Sequence, residues 1–232
     1  MGPALEILYE DNHCLAIAKP AGRLSTHFQG SDEPLDREVK RHLKAKYRKP
    51  GRVFLGIVHR LDRPVSGVLL FARTSKAAAR LAEQFRQGEI VKVYWAIVEG
   101  ALASSPGTLK NWLLNDQQQR RVRVVGSETP GARQAALKYA PLATAPGNTW
   151  VEIRPGTGRK HQIRVQMAHA GHPVVGDRRY GSTSDFGKAI ALHARSLIFQ
   201  HPVRREPITI TANLPAVWYH RFGALIGDAR RE

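Results

Sequence analysis

Short apolar runs separated by polar turns dominate the chain and predict a protein rich in β-strands. Residues 90–99 give the clearest strand, because apolar and polar side chains alternate along it and place Trp95 on a face that a core would cover. Residues 108–114 and 120–125 predict a hairpin around the polar stretch 116–119. The same pattern predicts further strands at residues 5–10, 14–18, 53–63, 66–72, 135–143, 149–154, 191–199 and 207–212.

Four segments show apolar residues at helical spacing instead. Residues 35–46 repeat an apolar side chain every fourth position and carry lysines and arginines on the opposite face. Residues 76–87 follow Thr74, which can cap a helix, and precede Gly88, which can end one. The expected buried stripe of this second helix consists of Ala78, Leu81, Ala82 and Phe85. The other two predicted helices are residues 161–169 and 215–224.

The order of these segments predicts the fold class. Most strands follow one another without an intervening helix, which is typical of an α+β domain with a largely antiparallel sheet. The sequence shows no internal repeat, low-complexity tract or interdomain linker. We therefore expect residues 1–232 to form a single domain.

One acidic residue stands out within this pattern. Asp62 lies on the predicted turn between two apolar segments, with Arg60 and Arg63 close to it in the sequence. Turns at strand ends on a rigid scaffold are favoured places for functional residues. A surface ion-pair network is the alternative interpretation, since such networks also combine carboxylates with arginines.

The charge of the chain narrows the choice of partner. Lysines and arginines total 36 against 19 acidic residues, which gives a formal net charge of +17. Such an excess favours nucleic acid or another polyanion as the ligand. Arg120, Arg121 and Arg123 lie together on the second arm of the predicted hairpin. There they could grip a phosphate backbone or protect an exposed sheet edge.

Several other functions find no support in the sequence. Cys14 is the only cysteine, which excludes an intrachain disulfide and a cysteine zinc cluster. His161, His169 and His172 are the closest group of histidines, but their spacing matches no compact zinc motif. Residues 181–188 resemble a phosphate-binding loop only loosely, because five residues separate the glycines and an alanine follows the lysine. We expect no metal, and we find no carboxylate cluster that would indicate a metal-dependent nuclease.

Six short motifs stand out along the chain. Residues 59–67, His-Arg-Leu-Asp-Arg-Pro-Val-Ser-Gly, are similar to the signature of the RluA-type RNA pseudouridine synthases. The others occur in the family's order and are Lys19-Pro20-x-Gly22 with His27 nearby, Lys92-x-Tyr94-x-Ala96, Gly158-Arg159-x-His161-Gln162-Ile163-Arg164-Val165, Gly171-His172-Pro173 with Gly176-Asp177-x-x-Tyr180-Gly181, and Leu192-His193-Ala194 with His201-Pro202. The resemblance spans roughly residues 5–213, and the ordered occurrence of the motifs makes it specific.

The resemblance implies the pseudouridine synthase fold, which is an α+β fold with a mixed, largely antiparallel sheet flanked by helices around a central catalytic cleft. It also implies the isomerisation of uridine to pseudouridine in RNA. The N1–C1′ bond breaks, the base rotates and C5 rejoins C1′, so we expect no cofactor. Asp62 is then the catalytic carboxylate, Arg164 pairs with it, and Tyr94 stacks on the target base. These roles require that the turn with Asp62, the strand face with Tyr94 and the helix start with Arg164 come together in the fold.

The same resemblance implies how RNA is held. The target base must leave its stack, which costs a few kcal/mol, and Arg60 is expected to occupy the vacated space. Further expected RNA contacts are Arg63, Lys92, Arg120, Arg121, Arg123, Arg159 and His161. The expected partner is structured ribosomal or transfer RNA, bound by a monomer.

We also expect a cytoplasmic location, because the chain shows no signal peptide and no apolar run long enough to span a membrane. The alternative function is a non-catalytic RNA-binding or RNA-chaperone protein that kept the fold. Such a protein would be expected to lose Asp62, Tyr94 or Arg164, and all three are present.

Two positions depart from the family pattern. Val65 stands where members usually have threonine, so no side-chain hydroxyl at this position can help to hold the Asp62 loop. Lys160 stands where many members also have threonine. Neither change replaces an expected catalytic residue. Many members carry a small RNA-binding module ahead of the catalytic domain, and we expect no such module here.

Overall fold

The computed structural model describes residues 5–26, 33–119 and 121–227, and the chain folds into two compact units. The first unit combines the chain up to Lys92 with Ala194–Leu214, and the second combines Val93–His193 with the chain from Pro215 onward. Two of these boundaries fall inside strands, so no change of composition marks them. No helix in the described ranges is long and apolar enough to cross a membrane.

The first unit consists of antiparallel strand pairs and two helices. The strands are β1 (Ile7–Glu10), β2 (Cys14–Lys19), β3 (Gly56–Ile57), β4 (Ser66–Ala72), β10 (Leu192–Gln200) and β11 (Pro207–Thr211), and the helices are α1 (Leu35–Lys46) and α2 (Ser75–Gln87). Strand β2 pairs with β1 and β4, β3 pairs with β4, and β10 pairs with β11. The predictions for α1, α2 and five of these six strands are therefore confirmed to within a few residues.

An apolar core lies between these strands and α2. It includes Cys14, Leu70, Leu81 and Phe199, all of which are at most 3% exposed. Burial of the Cys14 side chain, together with the nearby Asp11 carboxylate, raises the pKa of the thiol to about 12. The single cysteine is thus a packing residue of this core.

The predicted strand at residues 53–63 is wrong, apart from the two residues of β3. Phe54, ahead of β3, is 50% exposed, and Ile57 within β3 is 41% exposed, so the apolar run does not form a buried central strand. The ring nitrogen Nε2 of His59 accepts a hydrogen bond from the amide of Leu70 in β4 (2.9 Å). A side chain therefore takes the place of a backbone acceptor at this point of β4.

Helix α2 begins after Thr74 and ends at Gly88, as predicted, but its buried stripe differs from the prediction. Ala82 is exposed, whereas Gln84 is buried. The Gln84 amide group donates to the carbonyl of Gln200 (2.9 Å) and accepts from its amide (3.0 Å). These two bonds satisfy a polar side chain inside the core, which an apolar pattern does not predict.

The second unit is built around an antiparallel sheet of five strands. They are β5 (Val91–Glu99), β6 (Gly107–Asp116), β7 (Arg121–Val125), β8 (Arg133–Ala145) and β9 (Asn148–Pro155), in the spatial order β5-β9-β8-β6-β7. The predicted β6–β7 hairpin is confirmed, and Trp95 is 6% exposed, as its place in β5 predicts.

Two α-helices complete the second unit in the described residues, α3 (Gln162–His169) and α4 (Ala216–Ile226). Helix α3 packs on one face of the sheet through a cluster that contains Leu113, Val122, Ala135 and Val165. The sheet with its helices places the chain in the predicted α+β class.

Candidate active-site residues

Asp62 lies on a turn whose backbone is fixed on both sides. The amide of Val65 donates to the Asp62 carbonyl across the turn (3.0 Å). On the N-terminal side, the hydroxyl of Ser25 donates to the Leu61 carbonyl (2.8 Å) and accepts from the Leu61 amide (3.2 Å). Because these bonds hold the main chain before and after Asp62, its carboxylate starts from a preorganised position.

A buried lysine at the end of β2 holds the same turn. The ammonium of Lys19, a residue only 1% exposed, donates to the carbonyl oxygens of Val65 (2.6 Å), Pro20 (3.0 Å) and Arg63 (3.1 Å). Burial lowers the pKa of Lys19 to about 7, against the opposing effect of the Asp62 carboxylate. A buried ammonium requires acceptors for its three hydrogens, and the turn supplies two of them.

Further contacts restrict the segments around the turn. The Arg63 carbonyl accepts from the Gly22 amide (2.7 Å), and Nε of Arg63 donates to the Gly22 carbonyl (2.9 Å). Gly67 has φ +118°, and a Cβ there would lie 2.2 Å from the carbonyl oxygen of Ala194. Val65, which has no hydroxyl, contributes to positioning through its carbonyl, which accepts the bond from Lys19.

The contacts of His59, three residues before Asp62, indicate a structural role for this side chain. Its ring stacks on Phe85 with 4.9 Å between the ring centroids. Burial, helped by the cationic Lys92, lowers the pKa of His59 to about 3. Because Nε2 accepts the bond from the Leu70 amide, the ring is neutral and carries its proton on Nδ1. His59 therefore holds the chain that enters the turn, and its ring stays neutral near neutral pH.

In the second unit, a carboxylate fixes the direction of Arg164. The guanidinium of Arg164 donates two parallel hydrogen bonds to Asp177, from Nε to Oδ2 (2.6 Å) and from Nη2 to Oδ1 (2.9 Å). Both residues are buried, and the guanidinium also lies over the Tyr180 ring at 5.1 Å. A bidentate pair of this kind is strong and directional. Asp177 is therefore a positioning residue for Arg164.

The first turn of α3 is held by its own set of hydrogen bonds. His161 precedes the helix with φ 52°, and its Nδ1 lies 2.8 Å from the Tyr180 hydroxyl. The amide of Val122 donates to the same hydroxyl (3.1 Å). The side-chain oxygen of Gln162 accepts from the Arg159 amide (3.0 Å). These contacts join the start of α3 to β7 and to the loop before the helix.

Tyr94 lies on β5 directly opposite Ile153 of β9, on the sheet face that α3 covers, and is partly exposed. The position agrees with the predicted strand, in which Trp95 points the other way. Asp62 belongs to the first unit, whereas Tyr94 and Arg164 belong to the second. Their convergence on one substrate and the pairing of Arg164 with Asp62 both stay predictions.

Most of the predicted RNA-binding residues lie on the surface. The exposed ones are Arg60, Arg63, Arg121, Arg123 and Arg159, whereas Lys92 and His161 are partly buried. Arg123 also forms an ion pair with Asp116 (3.1 Å). Lys160, the departure from the family pattern, is exposed and donates to Oδ1 of Asn115 (3.3 Å). Arg120 and His27 lie outside the described residues.

One group of possible metal ligands comes together within the described part of the chain, formed by Asp11, Cys14 and His201. One carboxylate oxygen of Asp11 already accepts bonds from Tyr9 (2.8 Å), His201 (2.8 Å) and Arg204 (3.1 Å). Its other oxygen accepts two backbone amides. A cation would compete with all five donors, and the buried Cys14 thiol would have to ionise. This group fits a hydrogen-bonded turn better than a metal centre.

Sequence reasoning assigned no role to Lys19 or Asp177, although both lie in motifs that resemble the family. Lys19 ends the largely apolar run of β2, and Asp177 follows the apolar pair Val174-Val175 and a glycine. A charged residue directly beside a buried segment must find partners or stay outside the core. A charged residue beside a buried segment therefore indicates a need for buried partners. It does not identify those partners, which are distant in sequence.

Comparison with known proteins agrees with these motifs. A family model described as RNA pseudouridylate synthase matches residues 13–169. The ribosomal large subunit pseudouridine synthase D of Xylella fastidiosa is 39% identical over 97% of this chain and 70% of its own length. The tRNA pseudouridine synthase C of Vibrio cholerae is 34% identical over 92% of this chain and 93% of its own length.

Solved structures show the same fold. Human RNA Pseudouridylate Synthase Domain Containing 4 matches with a TM-score of 0.79 at 24% identity, over 94% of this chain and 92% of that chain. Human RNA Pseudouridylate Synthase Domain Containing 1 matches with a TM-score of 0.72 at 27% identity, over 94% of this chain and 89% of that chain. The chain therefore belongs to the RNA pseudouridylate synthase family, as a member of its RluA type, and is an isomerase.

Proposed function

We propose that this enzyme converts specific uridines of ribosomal or transfer RNA to pseudouridine, with Asp62 as its catalytic carboxylate. The names of its relatives support this range of substrates, because they include ribosomal large subunit pseudouridine synthases and tRNA pseudouridine synthases. The RluA-type motif at residues 59–67 supports the role of Asp62.

The observation that carries the proposal is the anchoring of the Asp62 turn. Lys19 and Ser25 hold the backbone on both sides of Asp62 through buried hydrogen bonds. A surface ion pair does not require such support, whereas a catalytic group must be held close to its productive geometry. The anchored turn therefore favours catalysis over a merely solvated carboxylate.

The proposed reaction needs a carboxylate near the ribose. Asp62 acts there as a nucleophile or a base while the N1–C1′ bond breaks. The uracil then rotates, C5 bonds to C1′ and loses its proton, and N1 gains one, so that no atom is added or lost. Tyr94 stacks on the base. If the route passes through a glycal, Tyr94 also accepts the proton from C2′ of the ribose and returns it to C2′ when C5 bonds to C1′. Arg164, aimed by Asp177, supplies a positive charge for this chemistry.

RNA binding uses the surface arginines. Arg60 occupies the space that the flipped base leaves. The remaining predicted contacts hold the RNA, mainly through its phosphates, and they are Arg63, Lys92, Arg120, Arg121, Arg123, Arg159 and His161. The opposite charges of protein and RNA favour these contacts without specifying a sequence.

The test is a strain that lacks the gene, with total RNA treated with carbodiimide and mapped for pseudouridine stops. The strain is complemented with the wild type, with Asp62→Asn, or with the control Asp185→Asn, which changes an exposed carboxylate. We expect one or more stops to vanish on deletion and to return with the wild type and the control only. Purified Asp62→Asn should melt like the wild type and act at least about 100-fold more slowly.

Two results would overturn the proposal. If Asp62→Asn restores the stop, Asp62 is not the catalytic carboxylate. If deletion changes no stop and the purified wild type binds ribosomal and transfer RNA without modifying either, the alternative of a non-catalytic RNA-binding protein is correct.

A further inference from the structure

One face of the sheet in the second unit carries a set of cations that the proposed catalytic residues do not use. Directly paired residues of an antiparallel sheet point to the same face. Leu113 and Ala135 point to the face that α3 covers. Thr108, Lys138 and Arg154 form one row across β6, β8 and β9 and, by alternation, point to the other face.

This row continues along β6 as a strip. Lys110 and Trp112 follow Thr108 on the same face, because they lie two and four residues further along the strand. Leu114 and Asp116 come next and pair with arginines of β7. Residues Thr108 to Asp116 span about 27 Å at the usual rise per residue. We call the reverse strip the six residues Lys110, Trp112, Arg121, Arg123, Lys138 and Arg154.

The reverse strip is positively charged. Its five cations face two carboxylates, since Asp116 pairs with Arg123 (3.1 Å) and Glu152 pairs with Arg154 (2.7 Å). In residues 5–26, 33–119 and 121–227, no carboxylate forms an ion pair with either lysine of the strip, and both lysines are exposed. A positive charge therefore remains that an anionic partner could neutralise.

An exposed indole lies between these cations. Trp112 is 36% exposed, whereas Trp95 and Trp218 are 6% and 1% exposed. Thr108, Lys138 and Arg154 also line a surface pocket together with Glu152 and neighbouring residues. Charges that only protect a sheet edge would not need an exposed tryptophan. Cations around an aromatic platform are typical of surfaces that bind RNA backbone and stack unpaired bases.

We propose that the reverse strip binds a segment of the substrate RNA that is distant from the target uridine. Phosphates contact the lysines and arginines of the strip, and an unpaired base stacks on Trp112. Because Tyr94 points to the opposite sheet face, the bound RNA passes around the β7 edge to reach the strip. This inference rests on the proposed function and adds a second contact region to it.

The experiment compares two substrate RNAs that contain the target uridine. One is a full-length transcript and the other is a minimal stem-loop. The test variant is Lys110→Gln/Lys138→Gln. The control is Lys49→Gln/Lys188→Gln, which removes two exposed lysines elsewhere. We expect the test variant to raise Kd for the transcript several-fold. The slope of log Kd against log salt concentration should fall by about one to two, at roughly one per lost phosphate contact. Binding of the stem-loop and kcat on both RNAs should not change.

Tryptophan fluorescence gives a second readout. The transcript should quench the emission of the wild type, and Trp112→Leu should lose most of this quenching and bind the transcript about fivefold or more weakly. Equal effects of the lysine variant on both RNAs, or no effect on either, would overturn the reverse strip as an RNA-binding surface. Absence of pseudouridine in both RNAs with the wild type would instead overturn the proposed function, while the two Kd values still test the strip.

Discussion

Two buried basic side chains, Lys19 beside the Asp62 turn and the candidate catalytic residue Arg164, obtain their hydrogen-bond acceptors in different ways. Lys19 donates to three backbone carbonyls, whereas Arg164 pairs with the carboxylate of Asp177. A buried charge without partners is strongly unfavourable, so each cation depends on its own set of acceptors. We therefore expect the contribution of Lys19 to stability to depend on pH. For Arg164 we expect the loss of the Asp177 carboxylate to lower stability.

Lys19 should make the stability of the protein depend on pH. The pKa of Lys19 is about 7 in the folded chain and 10.5 in a solvated lysine. Between these values the unfolded chain binds more protons, so the contribution of Lys19 to the free energy of unfolding should rise as the pH increases from 7 to 10.5. Its slope should approach about 1.4 kcal/mol per pH unit.

Urea unfolding of the wild type and of Lys19→Met, measured at each pH from 7 to 10, isolates this contribution as the difference between the two proteins. Other titrating groups cancel in the difference because both proteins contain them. A difference that does not change with pH would show that Lys19 keeps the pKa of a solvated lysine.

Asp177→Asn should destabilise the second unit and slow the reaction. Removing one partner of a buried ion pair typically costs about 3–5 kcal/mol, because the other charge stays buried. Calorimetry should detect the loss of stability, and kcat measured below the melting temperature should fall because the guanidinium loses its direction. In the double variant Arg164→Met/Asp177→Asn, part of the stability should return. The single variant Arg164→Met completes the double-mutant cycle. If the stability losses of the two single variants simply add in the double variant, the pair is not coupled.

At the scale of elements, repeating local patterns predicted most of the architecture. The helix α2 and the β6–β7 hairpin follow from caps, periodicity and turn residues that lie within each segment. The prediction failed at residues 53–63, where the His59 side chain bonds to β4 in place of a backbone ladder. That contact depends on a residue eleven positions away, and hydrophobic spacing contains no information about it.

The candidate site could be predicted in part for the same reason. Asp62, Tyr94 and Arg164 are predicted as site residues because short motifs resemble those of the family. The supporting roles of Lys19 and Asp177 were not, because Lys19 bonds to the turn across 44 residues and Arg164 pairs with Asp177 across 13. Side-chain contacts at such separations are set by the folded chain and not by local pattern.

Gly67 in β4 and Gly88 at the end of α2 allow a matched test of how much the close packing of β4 contributes to stability. Both have positive φ, but an added Cβ would meet the Ala194 backbone at Gly67 and nothing within 4 Å at Gly88. Gly88→Ala should therefore cost about 1–2 kcal/mol, the usual cost of a left-handed backbone for a residue with a Cβ. Gly67→Ala should cost several times more, because β4 would have to move. Urea unfolding of both variants checks this, and equal losses would show that the close approach at Gly67 is unimportant.

At the scale of the whole molecule, the net charge of +17 should make the affinity for RNA depend strongly on salt. Neutralised phosphates release their counterions, so the affinity should fall as a power of the salt concentration. With six or more phosphate contacts, binding should weaken by about 10³-fold or more between 50 and 200 mM salt. Titrations of a transcript at four salt concentrations measure the slope, and a slope near zero would show that the excess charge has no part in binding.

The burial of Cys14 makes the first unit a reporter of its own opening. With a pKa of about 12, the thiol is almost entirely protonated at pH 8 and closed to alkylating reagents. A maleimide can react only after β2 separates from its neighbours. Because the chain has one cysteine, each molecule gains at most one adduct, and the growth of that mass peak with time measures how often the core opens under native conditions.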